Sequence, residues 1–208
     1  MQFLSISKQK KREWDDDCYR TSENVMFTQM SAKQGIKQFK ERAMAVIVKE
    51  YKQLHEIDTF GRVCPEDLMS KHKLYTLRAI NFIKEKRSGN IKGRAFADGI
   101  SQRAYIKKEE ASAPTVSMET LLVQLTIDAF EERAMVIFDV PGAYLNNYMP
   151  EYKFVLLKLE YEFVDIMCEV NPEFIKDVQK EGKKKVLYLR VLKVLYGCIE
   201  SAFLWYNL

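Results

Sequence analysis

Cysteine is scarce in this chain and widely scattered. Cys18, Cys64, Cys168 and Cys198 include no Cys-x-x-Cys pair and have no histidine nearby, which excludes the usual zinc spacings and a disulfide framework. Reduced, mostly buried thiols are the expectation. Long apolar runs are missing too: none approaches the ~20 residues of a membrane span. Met1–Arg12 has neither the apolar stretch nor the small-residue cleavage site of a secretion signal. An intracellular chain, cytoplasmic or nuclear, with no membrane partner is therefore expected. No internal repeat or low-complexity tract interrupts it.

What is present suits a globular body. With 47% of 208 residues hydrophobic, the chain can bury a substantial core, as one large domain or two small ones. The net charge of +4 is small, but its cations cluster in Lys8–Arg12, Lys84–Arg94 and Lys183–Lys185. Such patches neutralise phosphates in nucleic-acid-binding proteins, and equally they form solvated faces or loops. The acidic run Asp15-Asp16-Asp17 sits in a polar segment and reads as a solvated patch.

Periodicity divides the chain. Residues 1–30 show no sustained period and read as a loosely ordered lead-in. Phe39, Ala43, Val46, Ile47, Tyr51 and Leu54 recur every three or four residues, which predicts a helix from Ile36 that ends near Asp58–Gly61. A second helix is expected from Cys64-Pro65, with Leu68, His72, Tyr75, Ala79 and Ile83 on one face and Ser88-Gly89 as its stop. His72 then lines a face rather than binding a ligand. Asp98-Gly99 between Ile91–Ala97 and Ile100–Ile106 predicts a β-hairpin, on which Lys92 and Arg94 share a face.

Ser117 is a plausible N-cap for a helix running to about Arg133. Met135–Phe138 follows as a buried strand that would pack with this helix and hold the next residue rigidly. Downstream, Phe154–Leu159 and Val186–Leu192 read as strands, Tyr161–Val170 as a short element, Asn171-Pro172 as a break, and the residues after Gly197 as a terminal helix. Helices alternating with hairpins favour an α+β fold.

Asp139 is the most pointed residue. An apolar run delivers one carboxylate, and Pro141-Gly142 turns the chain at once. A carboxylate there can bind a metal, or it can accept backbone N–H bonds at the junction.

Four segments, in order, resemble motifs of the copia-type retrotransposon reverse transcriptases. Lys92–Gly99 with Gln102 resembles that family's basic strand. Ala113–Leu121 is similar to its APVVRMETIR, Asp139–Asn146 to its DVKTAFLNG, and Leu195–Tyr206 to its LYGLKQSPRAWY. The resemblance covers roughly residues 40–208. It implies the fingers and partial palm of a right-hand polymerase, with a fingers-like hairpin about 88–108, a palm-like helix and strand about 117–148, and further fingers or palm segments over 150–208. The family's aromatic-x-Asp-Asp motif does not follow Tyr206, so an incomplete reverse transcriptase domain, inactive alone, is expected.

The implied chemistry is RNA-directed DNA polymerisation by nucleotidyl transfer, with two Mg²⁺ (or Mn²⁺) ions roughly 4 Å apart. By resemblance, Asp139 and the Val140 carbonyl bind metal. Lys92, Arg94, Gly142, Ala143 and Tyr144 meet the nucleotide, Tyr144 as the ring that excludes a ribose 2′-OH, and Tyr196-Gly197 forms a pocket wall. The implied partners are primed RNA or DNA template, deoxynucleoside triphosphates and the rest of a Pol polyprotein, including the remaining palm, the thumb and RNase H. Two departures stand out: Pro141-Gly142 replaces the family's Lys-Thr, and Cys198-Ile199-Glu200 replaces its Leu-Lys-Gln. A decayed polymerase-like domain that at most binds nucleic acid is the alternative.

Overall fold

The computed structural model describes residues 29–86 and 88–207, so residues 1–28 of the lead-in, with Lys8–Arg12, Asp15-Asp16-Asp17 and Cys18, and also Arg87 and Leu208, lie outside the described residues; the last residues of the lead-in enter a strand, not a loose segment. In chain order the elements are β1 (Gln29–Ser31), α1 (Ala32–Phe39), α2 (Glu41–Glu56), β2 (Phe60–Arg62), α3 (Ser70–Leu74), β3 (Leu77–Glu85), β4 (Ile91–Asp98), α4 (Met118–Phe130), β5 (Leu156–Glu160), α5 (Glu162–Val170), β6 (Gln179–Glu181), β7 (Lys184–Val191) and α6 (Ser201–Tyr206). The class is α+β with a mixed sheet. The chain divides into two compact units, Met1–Tyr51 with Ile80–Ala95, and Lys52–Ala79 with Phe96–Leu208. Among the described residues no helix is long and apolar enough to cross a membrane.

In the first unit, Ser31 starts α1 with a reciprocal cap: the Gln34 amide donates to Ser31 Oγ at 3.3 Å and the Ser31 amide donates to Gln34 Oε1 at 3.2 Å. The single helix expected from Ile36 is two helices. Lys40, at φ 49°, turns the chain out of the right-handed region before α2 begins. Ala43, Ile47, Tyr51 and Leu54 on α2 are buried as their spacing requires. Strand β1 pairs antiparallel with β3, and the Lys86 amide donates to the Asn90 carbonyl at 2.7 Å across the β3–β4 turn.

Two expectations fail in this stretch. The helix expected over Pro65–Ser88 is a 3₁₀ turn at Pro65–Asp67, the five-residue α3 and then strand β3. The pattern misleads because residues four apart share a face in a strand as well as in a helix, so Tyr75, Ala79 and Ile83 fit both; the β-branched and aromatic Ile80, Phe82 and Ile83 favour the strand. The hairpin is β3–β4, not one turning at Asp98-Gly99. Gly99–Ala104 is a 3₁₀ helix, because Asp98 is engaged elsewhere: Oδ1 accepts from the Ile100 amide at 3.2 Å and Oδ2 pairs with Arg78 Nη2 at 2.7 Å.

In the second unit, β7 is the pivot. It pairs antiparallel with β5 (Leu157 against Leu189, Leu159 against Leu187), with β2 (Phe60 against Val191) and with β6 (Glu181 against Lys184), while the start of β3 runs parallel to β5 (Leu77 against Leu157). Leu157, Leu159, Leu187 and Leu189 are buried, as are Val164 and Met167 on α5 and Phe174. The alternate residues Lys158 and Tyr188 carry a charged network. Lys158 Nζ and the Tyr188 hydroxyl each donate to Glu181 at 2.6 Å, and Lys184 and Lys185 pair with Glu160 and Asp165. Two of the three cations of Lys183–Lys185 are thus paired with carboxylates of the chain itself.

The third failure concerns the strand before Asp139. Residues 133–140 form no strand: Val136, Ile137 and Phe138 are 82%, 99% and 81% exposed. Helix α4, capped by Ser117 Oγ on the Thr120 amide at 3.2 Å, buries none of its residues. No strand lies beside this run among the described residues, and an unpaired strand leaves its N–H and C=O groups to water. The helix-and-strand support expected for Asp139 is therefore not formed.

This contrast is measurable. Ile137→Ser should alter unfolding free energy by no more than about 0.5 kcal/mol, as for other exposed positions, whereas Leu189→Ala should cost about 2–5 kcal/mol through a core cavity. Comparable losses for both in urea titrations would show that Ile137 is packed.

The Glu181 carboxyl is held at about 2, below its ordinary 4.5, by its hydrogen bonds from Lys158 and then Tyr188. A carboxylate depressed on folding adds stability above its unfolded pKa, and that contribution is lost as pH falls. Glu181→Gln should therefore flatten the acid branch of the Tm profile between pH 4.5 and 2. The exposed control Glu169→Gln should leave the branch steep; equal slopes in the two variants would refute the assignment.

Candidate functional site

Three of the four sequence motifs meet in the second unit at the Tyr196-Gly197 turn. The Ala97 amide donates to the Tyr196 carbonyl at 2.8 Å, extending the pairing of β4's end to a segment almost a hundred residues later. A Cβ on Gly197 would overlap the Ala97 carbonyl oxygen, and one on Gly99 would overlap the Gly197 carbonyl. Gly197 also has φ +93°, a region that costs other residues strain. Two glycines are needed because two backbones touch.

Rings close around this turn. Tyr144 lies 5.1 Å from Tyr196, centroid to centroid, with the planes inclined at 46°, and Phe96 meets Tyr196 edge-on at 6.2 Å. Tyr144 is half-buried on a 3₁₀ turn, Ala143–Asn146, entered through Gly142 at φ 63° and ψ 31°. The Leu145 amide closes that turn onto the Gly142 carbonyl at 2.8 Å. Asn147 then ties it down: its backbone carbonyl accepts from the Val194 amide at 2.9 Å, and its side-chain amide donates to the Leu204 carbonyl at 2.8 Å.

Beneath the turn lies a buried polar network that spacing did not reveal. Gln102, fully buried, accepts from the Ile199 amide through Oε1 at 2.7 Å, and its Nε2 reaches Glu200 at 3.5 Å. Glu200 is 1% exposed and bonded to Lys153 Nζ. Gln102 and Glu200 each stand inside a segment that the sequence singled out, but Lys153 carries no pattern that joins it to either. Burial pushes the neighbouring Cys198 thiol up to about 12, so it is inert at neutral pH. Of the described cysteines, all free, Cys168 is half-buried and Cys64 is exposed, which corrects the expectation of mostly buried thiols.

The other candidates stand apart from this cluster. Asp139 and Val140 lie on the exposed, unpaired run ahead of the Pro141-Gly142 turn. Among the described residues no group of three or more His, Cys, Asp or Glu is placed to hold a metal ion. Asp139 fits one position of a divalent-cation set, but the set is incomplete, and no catalytic step is derived through a metal. Lys92 and Arg94 belong to the first unit, both exposed on β4 while the alternating Gly93 and Ala95 are buried, as strand alternation requires. The Ala95 amide approaches Glu50 Oε1 at 3.4 Å, and the Glu50 carboxyl is raised chiefly by burial, with Arg94 and Lys92 opposing.

No family model, curated protein or solved structure matches the chain.

The two left-handed glycines make different predictions. At Gly142 an added methyl meets nothing closer than 3.8 Å, so Gly142→Ala should cost about 1 kcal/mol of backbone strain alone. Gly197→Ala adds a backbone collision to the strain and should cost about 3 kcal/mol or more. Equal unfolding midpoints for the two variants would show that the 97–197 approach is not a tight contact.

Proposed function

We propose that this chain contributes fingers and part of the palm to an RNA-directed DNA polymerase of the copia-type retrotransposon class. The observation that carries this reading is the convergence of Phe96, Tyr144 and Tyr196, each from a different family motif, on one turn. Motifs of independent origin have no reason to pack together. In this reading Tyr144, braced by Tyr196, faces the sugar of a deoxynucleoside triphosphate, Gly142 and Ala143 approach its phosphates, and Lys92 and Arg94 meet polyanion charge. Asp139 with the Val140 carbonyl is one part of a Mg²⁺ or Mn²⁺ set whose other carboxylates are not among the described residues. The partners are primed template and the rest of an intracellular Pol polyprotein.

A second reading, a polymerase-like domain that at most binds nucleic acid, is favoured by Glu200. It replaces the family's glutamine, and its carboxylate is spent inside the protein on Lys153 and Gln102. This turn therefore presents no cation to a template.

The discriminating experiment prolongs the chain in its natural reading frame to include an aromatic-x-Asp-Asp hairpin. On primed RNA the prolonged enzyme should extend the primer, Asp139→Asn should abolish extension, and Tyr144→Ala should raise ribonucleotide use. Lys92→Ala with Arg94→Ala should lower the salt slope of primer–template binding by up to about 2, one for each lost phosphate contact. A frame without the acidic pair, or extension that survives Asp139→Asn, would overturn the polymerase reading; an unchanged slope would remove Lys92 and Arg94 from the interface.

A further inference from the structure

A cavity of about 420 Å³ opens in the second unit, and Tyr75, Tyr105, Phe154, Glu110, Lys153 and Glu200 are among its walls. That volume lies within the usual range of small-molecule sites. Tyr75 and Tyr105 meet edge-on, centroids 5.1 Å apart and planes at 75°, and each remains 46% exposed. Phe154 is already occupied on its own account, by the Arg190 guanidinium 5.3 Å from its centroid and by His72 at 4.9 Å. The two tyrosines are therefore the available aromatic surface.

The charges decide what such a cavity takes. Glu200 is buried and bonded to Lys153, while Glu110 stands 3.9 Å from the same ammonium through Oε2. Among the lining side chains two carboxylates share one cation, so one carboxylate is left without a full partner beside the aromatic walls. The Tyr105 phenol is raised, chiefly by burial, with a hydrogen bond to Gln102 opposing and the Glu200 carboxylate adding to it. An anionic ligand would be repelled, and an uncharged one would leave Glu110 with only its longer contact to Lys153. A cation with alkyl substituents gains on both counts: it meets a carboxylate and lays its polarised C–H surface on the faces of aromatic rings.

We propose that this cavity binds an organic ammonium of the methylated or quaternary class, with Glu110 opposing its charge and Tyr75 and Tyr105 receiving its alkyl surface. The site is independent of the polymerase reading, since none of these residues serves the nucleotide in it. Lys153 keeps Glu200 neutralised, and Glu110 is the carboxylate left for the ligand.

Choline and its uncharged isostere 3,3-dimethyl-1-butanol separate charge from shape. Titrated into the full chain and followed by nuclear magnetic resonance, choline should bind about tenfold more tightly than the isostere, the size of a partly desolvated cation–π and charge contribution. Glu110→Gln should remove most of that preference, and Tyr75→Leu, which keeps the apolar bulk but removes the ring, should weaken choline severalfold. Glu109→Gln, an exposed neighbour outside the cavity lining, should change neither. Equal binding of both probes, no saturable choline binding to the folded chain, or equal effects of Glu110→Gln and Glu109→Gln would overturn the proposal.

Discussion

Strand β7 is the constraint on which the second unit depends. Its residues from Val186 to Leu189 and Val191 are buried, so its backbone polar groups must be satisfied by neighbouring strands rather than water. Strands β5, β2 and β6 do this from both edges. The chain leaving β7 is then held by further backbone bonds, Leu192 to Thr59, Met149 to Leu192 and Val194 to Asn147, and this delivers Tyr196-Gly197 to the end of β4. The aromatic cluster is thus a consequence of sheet pairing, and the two glycines let the last step occur at backbone contact.

Helix α4 and residues 133–140 are built differently. Leu121, Leu122, Val123, Ile127, Phe130, Val136, Ile137 and Phe138 are all exposed. An exposed apolar surface of this extent marks a place where another element belongs. A metal ligand must be held within a fraction of an ångström by its supporting shell, and Asp139 has no such shell among the described residues. The polymerase reading accordingly requires a strand that pairs with this run, and the binding-only reading does not.

Glu200 shows how one buried charge organises its surroundings. A buried carboxylate must find charge and hydrogen-bond donors nearby. It finds Lys153 and Gln102. The ion pair joins the Tyr196-Gly197 turn region to the cavity that Tyr75 and Tyr105 also line.

Local patterns were sufficient wherever one segment's periodicity and caps agreed. The sequence alone determined the α+β class, the cap at Ser117 and helix α4, the buried face of α2, strands β5 and β7, the turn at Pro141-Gly142, and the shared face of Lys92 and Arg94. Tertiary structure decided the rest. Whether Ala79 and Ile83 belong to a helix or a strand is undetermined by a spacing of four, and pairing of β3 with β1 and β5 resolved it, while Tyr75 caps the short α3. Asp98-Gly99 has the composition of a hairpin turn, but Arg78 claims the aspartate and the Gly197 carbonyl claims the glycine's empty side. The run before Asp139 has a strand's residues and, among the described residues, lacks a strand's neighbour. Gln102, Lys153 and Glu200 meet across dozens of residues, because burial in a low-dielectric interior forces charges and amides to find partners wherever the fold has brought them.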